Sequence, residues 1–428
     1  MQQPPNKDDV YDKEIEAWIQ QIMDEQRPVK EPIRVKEPIQ VKEPIQEKAE
    51  PPVGNVTEVV EKRRVHVDVR IETLKDLIDL ADLAVARYDY QNPALIFNID
   101  FKRLCAIQPE LKELNGMIGM QALKKSVVDH ILYYLQDLHL LEPTLLEPTV
   151  PPAGKPPSLD EPGVTDPCKA VSSEGGFPAG GTVGSNSDYM HMVLAGPPGV
   201  GKTDVAKILA RLFLHMGVLN NNVFKKATRQ DLIGGFLGQT AIKTAALVNS
   251  CIGGVLFIDE AYSLWDPTKE KQDAYAREAI DTLCEAMSNH KSDLMVIIAG
   301  YQKEIDGFLQ ANRGLESRFL WRYTIEPYSP KELGLIFDKK VREIRWRVAE
   351  TFVKTAWFEK KKDKFPASGR DMEKLLTFVK TAHARRMYGQ SVDELRIITE
   401  ADMDAGFAVF EANKEKKEVS TAHQFYFV

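Results

Sequence analysis

Cysteine is scarce in this sequence: the four in 428 residues, Cys105, Cys168, Cys251 and Cys284, lie far apart and form no C-x-x-C pair. Neither a disulfide framework nor a zinc knuckle is suggested, and a reduced intracellular setting is the expectation. Long apolar runs are also lacking. None reaches the roughly 18 residues needed to cross a bilayer, and the N-terminus is acidic and amphipathic rather than a basic stretch leading into an apolar one. A soluble, cytoplasmic chain with no membrane partner is therefore expected. Positive charge is not in excess: 63 acidic side chains against 56 basic ones leave a net charge of −7. That balance gives no support to a protein that coats nucleic acid through overall charge, although a local basic channel stays open. The apolar fraction of 43% is ample for burial, and the length favours two or three folded units plus linkers.

Proline marks the first boundary. After a possible short helix over 10–26, residues 29–46 repeat VKEPIR, VKEPIQ, VKEPIQ, a density of proline that forbids helix and favours an extended, solvated chain. Such a segment reads as a plain spacer or as a partner-binding tether, and composition alone favours the spacer. The expected organisation is a disordered tail over 1–64, a helical prefix over 65–141, a disordered Pro/Gly/Ser-rich insertion over 142–188, an α/β domain over 189–328, a helical domain over 329–415 and a tail over 416–428. In the prefix, Leu74, Leu77, Ile78, Leu80 and Leu83 recur at helical spacing, and a second helical run covers 121–140. Short apolar segments at 190–195, 223–227, 254–258, 294–299 and 322–326 alternate with amphipathic helices, the pattern of a parallel sheet with helices on both faces. Ser329-Pro330-Lys331-Glu332 then has the serine, first-turn proline and glutamate of a capping box opening the small C-terminal all-α domain.

The chemistry concentrates at two places. Gly196-Pro197-Pro198-Gly199-Val200-Gly201-Lys202-Thr203 follows an apolar strand directly and opens a helix. Glycines let backbone N–H groups curl around phosphate oxygens, and the helix N-terminus adds partial positive charge. Lys202 is placed to reach the β- and γ-phosphates and Thr203 to hold Mg²⁺. Further on, the strand Val255-Leu256-Phe257-Ile258 ends in Asp259-Glu260, so an acidic pair emerges at the carboxyl edge of the sheet, where ligands of such folds bind. Asp259 should assist the metal through its water shell. Glu260 should orient or deprotonate the attacking water, since hydrolysis needs a carboxylate not consumed by the metal.

These residues resemble the AAA+ ATPase family that contains the red-type Rubisco activase CbbX and the sporulation protein SpoVK. The resemblance is carried by Met117-Ile118-Gly119-Met120, GPPGVGKT, LFIDEAYSL at 256–264, IIAGY at 297–301 and Gly314-Leu315-Glu316-Ser317-Arg318-Phe319. It covers about 111–410 apart from the insertion, and the prefix segments TLKDLIDL and FNIDFKRL look like versions from large DNA viruses. The family implies a P-loop sheet domain with a helical lid, ATP and Mg²⁺ as ligands, assembly into a hexameric ring, and a protein substrate that is pulled or remodelled. It implies that Ile118 and Gly119 belong to the nucleotide pocket, that Arg318 is an arginine finger reaching a neighbouring subunit's γ-phosphate, and that Arg370 touches the γ-phosphate from the lid. It further implies that Phe236, Leu237 and Gly238, within Ile233-Gly234-Gly235-Phe236-Leu237-Gly238, form a pore loop that grips extended polypeptide. Each has a plainer alternative: a structural ion pair for Arg318, given Arg313 and Arg322 nearby; a solvated cap-region arginine for Arg370; a buried turn residue for Phe236. The sequence departs from the general pattern at Gly300-Tyr301, where relatives carry a polar sensor residue that positions water, and at Glu316, where CbbX-like sequences carry a second basic residue.

The leading expectation is a ring ATPase that remodels a protein partner. A nucleic-acid motor of the same fold would place Lys or Arg on the pore rather than Phe236. A nucleotide-switched scaffold would need neither Glu260 nor Arg318.

Overall fold

The computed structural model describes residues 63–140 and 189–425, apart from 93, 237, 266–273, 312, 350, 351, 353 and 391–394. The repeats, the 10–26 segment and the insertion over 142–188 lie outside the described residues.

The prefix holds β1 (Arg63–Val65), α1 (Leu74–Arg87), β2 (Leu95–Phe97), α2 (Phe101–Ala106), α3 (Gln108–Asn115) and α4 (Gln121–Leu135). Thr73 and Asp76 make a reciprocal capping box at the start of α1, whose apolar stripe turns inward through Leu74, Leu77, Ile78 and Ala81. Helix α4 is shorter than the apolar spacing suggests. The chain leaves it through Asp137, held at φ +54°, whose carboxylate accepts from Arg103 Nη1 and Nη2 at 2.8 and 2.6 Å.

The central unit runs β3 (Met192–Ala195), α5 (Lys202–His215), β4 (Phe224–Ala227), α6 (Arg229–Leu232), α7 (Gln239–Asn249), β5 (Val255–Asp259), α8 (Ala274–Asn289), β6 (Met295–Gly300), α9 (Gln302–Ala311), α10 (Arg313–Glu316) and β7 (Trp321–Thr324). Each expected strand is present within one or two residues. They form one parallel sheet in the order β4-β5-β6-β3-β7. Side chains alternate between two cores: Met192, Leu194, Phe257 and Ile297 enter the one shared with the prefix, while Val193, Ala195, Leu256 and Ile298 enter the other. Burial on both faces is why these strands read as unbroken apolar runs rather than alternating ones.

The prefix is not a separate ball. Leu77, Leu104, Leu111, Val127 and Ile131 join Leu209, Leu212 and Phe213 of α5 in one cluster, and each fully buried aliphatic or aromatic side chain there contributes about 1.5–3 kcal/mol. At the rim Arg211 bonds Glu113, and His215 Nδ1 lies 3.2 Å from the buried Glu110 carboxylate.

The C-terminal unit comprises α11 (Pro330–Glu343), β8 (Arg347–Val348), α12 (Lys354–Lys360), α13 (Gly369–Met387), β9 (Ile397–Ile398) and α14 (Glu400–Phe425). The capping box is formed: Ser329 N donates to Glu332 Oε2 at 2.7 Å, and Glu332 N donates to Ser329 Oγ at 3.3 Å. Its core is separate from those of the sheet and takes in Ile118 from the prefix. Helix α14 continues through the boundary expected at 415. No helix among the described residues is long and apolar enough to cross a membrane.

Candidate functional site

Strand register brings the chemistry together. Ala195 pairs with Gly300 and Asp259 with Ala299, so the start of the glycine loop, the acidic pair and the end of β6 share the carboxyl edge of the sheet. A cleft of about 480 Å³ opens there, bounded by the glycine loop, Asp259 and Glu260 on one side and by α11 and α13 on the other.

The loop turns on Gly199 and Gly201, at φ +74° and +88°, a left-handed conformation that side-chain-bearing residues enter only at a cost. Val200 between them is buried, and α5 begins at Lys202 with Thr203 in the cleft wall. Lys202 Nζ donates to the carbonyls of Gly196 and Pro197, both at 2.8 Å. Burial lowers its pKa, and the Asp259 carboxylate partly offsets this. Asp259 accepts an ion pair from Lys226 of the neighbouring strand at 2.7 Å. Glu260 sits at φ +52°, so the chain turns as it leaves β5, and both carboxylates line the cleft. A left-handed non-glycine residue costs about 1 kcal/mol or more and is characteristic of functional positions. Thr203 and Asp259 supply hydroxyl and carboxylate oxygen to the same cleft, a donor set that fits the hard Mg²⁺ ion.

The lid meets the loop directly. Gly369 N donates to Gly199 O at 3.0 Å. A Cβ on Gly199 would lie 2.1 Å from Ala367 O, and one on Gly369 would lie 2.5 Å from Gly199 O. Two glycines therefore face each other because neither backbone leaves room for a methyl group. Arg370, the next residue of α13, lines the cleft together with Lys339 and Lys340 of α11.

The apolar end is built from the prefix. Met117 and Ile118 line it opposite Tyr328 and Ile336. Gly119 and Met120 are both left-handed, at φ +72° and +60°, and Gly119 lies so close to Glu332 and Tyr328 that a Cβ would approach to 2.8 Å. Lys124 Nζ donates to the carbonyls of Asn115 and Met117 at 2.9 and 2.5 Å. Burial lowers its pKa to about 8, with Glu332 opposing the shift. Tyr328 ties this wall to the glycine loop, its hydroxyl donating to Val200 O at 3.0 Å.

Arg318 and Phe236 are elsewhere. Arg318 follows α10 and precedes β7, at the amino edge of the sheet. Its Nε and Nη2 donate to Ser288 Oγ at 3.0 and 2.6 Å, and Nη1 donates to Gly314 O at 2.5 Å. Its neighbour Glu316 pairs with Arg322 at 3.5 Å rather than with Arg318. Phe236 is 73% exposed on the segment between α6 and α7; Gly238 closes that segment at φ +80°, and Leu237 lies outside the described residues.

Reading by motif missed Lys226, Tyr262, Tyr328 and the α11 lysines. Tyr262 carried a signal, since it stands two residues beyond Glu260 on a 3₁₀ turn over Ala261–Leu264. Tyr328 and the α11 lysines reach the cleft only through packing, and Lys226 meets it only through Asp259.

The model of the AAA family, the ATPase family associated with various cellular activities, matches residues 192–326. A putative cfxQ-like protein of Acanthamoeba polyphaga mimivirus is 32% identical over 323 residues, covering 74% of this chain and 68% of that one. The chain belongs to this AAA family of ATPases: it is an ATP hydrolase that uses ATP with Mg²⁺. Within the family it is of the CbbX/SpoVK-like kind. Stage V sporulation protein K of Bacillus subtilis is 39% identical over 161 residues, covering 38% of this chain and 49% of that one. ESX-1 secretion system protein EccA1 of Mycobacterium tuberculosis (strain H37Rv) is 43% identical over 143 residues, covering 33% of this chain and 25% of that one. The chain thus spans about half of one of these bacterial relatives and a quarter of the other. Among solved structures, the FIGL-1 AAA domain in complex with ADP is similar with a TM-score of 0.39 at 21% identity, over 52% of this chain and 73% of that one.

Proposed function

We propose that the chain works as a subunit of a ring in which ATP is hydrolysed between neighbours to remodel or thread a protein partner. The observation that carries this reading is the separation of Arg318 from its own cleft. The strands between the two edges span about 13 Å for four residues, and the guanidinium is held at the far edge by Ser288 and Gly314. An arginine in that position serves a cleft presented by a second subunit, where it stabilises charge developing on the transferred phosphate.

Within one subunit we assign the following roles, which the placement of the residues supports. The glycine loop and Lys202 would hold the phosphates, Thr203 and Asp259 would hold Mg²⁺, and Ile118 and Gly119 would bound the nucleotide's apolar end. When bound there, Mg²⁺ would offset the negative charge of the phosphates. Glu260, which lines the cleft beside Asp259, orients the attacking water and takes its proton. Arg370 reports the phosphate to the lid, whose contact with Gly199 couples nucleotide state to lid position. Phe236 offers a solvent-facing aromatic ring that binds extended polypeptide of any sequence.

The test is steady-state ATP turnover per subunit against protein concentration for wild type, Glu260→Gln and Arg318→Ala. Turnover that rises with concentration and is lost in both variants is expected. Concentration-independent turnover that survives Arg318→Ala overturns the ring reading and leaves a monomeric ATPase.

A further inference from the structure

Hydrolysis needs the terminal phosphate held in line with the water that Glu260 activates, which asks for a second polar contact on that side of the cleft. Strand β6 ends there without one, because Gly300 has no side chain. The space it leaves is filled. A Cβ at Gly300 would lie 2.8 Å from Cδ1 and 2.9 Å from Cε1 of Tyr262, and 2.9 Å from Cγ1 of Ile305, so the tyrosine ring, with Ile305 beside it, occupies the volume that a polar side chain on the strand would otherwise use.

The ring is held in place. Tyr262 belongs to the 3₁₀ turn that begins just after Glu260, and the residues on that turn's inner side, Ala261 and Leu264, are 0% and 1% exposed. The Tyr301 ring packs against it at a centroid distance of 5.8 Å. Four hydroxyl-bearing side chains line the cleft among the described residues: Thr203, Tyr262, Tyr301 and Tyr328. Thr203 belongs to the metal side, and the Tyr328 hydroxyl donates to Val200 O. Tyr301 turns its ring face toward Lys202 Nζ, 5.7 Å from the centroid, and is partly exposed. Tyr262 remains, beside the carboxylate that activates water. Burial, and then the negative charge of Glu260, push its phenol up to about 12, so at neutral pH it keeps the proton that a donor requires.

We propose that Tyr262 is a further catalytic residue, its hydroxyl donating a hydrogen bond to the terminal phosphate in the task that a polar residue at the end of β6 would perform. The proposal rests on the assignment of Glu260 as the group that activates water.

Tyr262→Phe keeps the ring that packs on Gly300 and removes only the hydroxyl. The expected result is a fall in kcat of roughly 10- to 100-fold, in the range seen for loss of one preorganised donor, with binding of a fluorescent ATP analogue and the thermal midpoint unchanged within error. A phenylalanine variant that turns over within about twofold of wild type, a smaller effect than loss of a preorganised donor predicts, overturns the proposal, as does a loss confined to nucleotide affinity. Glu260→Gln is measured alongside. If it still hydrolyses ATP, the underlying assignment fails; if it is inactive while Tyr262→Phe runs at full speed, only the inference about Tyr262 falls.

Discussion

Buried histidines give this protein a definite response to acid. His130 stacks on Trp321 at a centroid distance of 3.6 Å, and its Nδ1 lies 2.6 Å from the Tyr323 hydroxyl. His191, just before β3, accepts at Nδ1 from Val296 N at 3.1 Å. Burial lowers each to about 3, whereas the unfolded chain takes up these protons near pH 6.5. The unfolded state therefore binds more protons below pH 6.5, and stability falls as the pH drops from there toward 3. Each histidine steepens that fall by up to about 1.4 kcal/mol per pH unit. Thermal melts between pH 7.5 and 4.5 are expected to show the midpoint declining below pH 6.5, with a shallower decline in His130→Gln. Asp402 adds to this at lower pH. Burial alone would raise its pKa, but hydrogen bonds from Arg386, Thr399 and His383 outweigh burial and hold it below the usual carboxylate range. Its contribution is present above about pH 4 and is lost as the pH falls further.

At the scale of elements, the junction between α13 and the glycine loop is the most constrained contact. Gly369→Ala would set a methyl group 2.5 Å from Gly199 O, and backbone on both sides leaves little room to yield. Because the lid has its own core, the variant is expected to fold, with the lid displaced from the loop. Nucleotide affinity measured by fluorescent-analogue titration should weaken by about tenfold, the equivalent of roughly 1.4 kcal/mol, while the melting midpoint changes little. Much of this level was legible in the chain. The five strands, the capping box at Ser329 and the loop opening α5 all depend on neighbours within a few residues. The early end of α4 was not, because it depends on Arg103, 34 positions away, satisfying Asp137.

For the whole molecule, exposure marks where a substitution can leave the packing untouched. Phe236 contributes no core contact at 73% exposure, so Phe236→Ala should leave stability within about 0.5 kcal/mol, as surface substitutions do. What it should abolish is ATP-driven unfolding of a tagged protein substrate, followed by loss of the substrate's fluorescence. Persistence of unfolding in that variant would overturn the proposed role of Phe236 in gripping substrate.

Sequence by itself determined the P-loop fold, the glycine loop and the paired acids, because glycine, lysine and carboxylate at short fixed offsets meet backbone requirements that are local. Tertiary structure alone decided that the prefix shares the ATPase core, that Gly369 abuts Gly199, that Arg318 lies at the edge opposite its own cleft and that Tyr262 fills the space beside Gly300. These pairs are distant in the chain or face one another across the sheet edge, and only the packing of helices and strands fixes which of them meet.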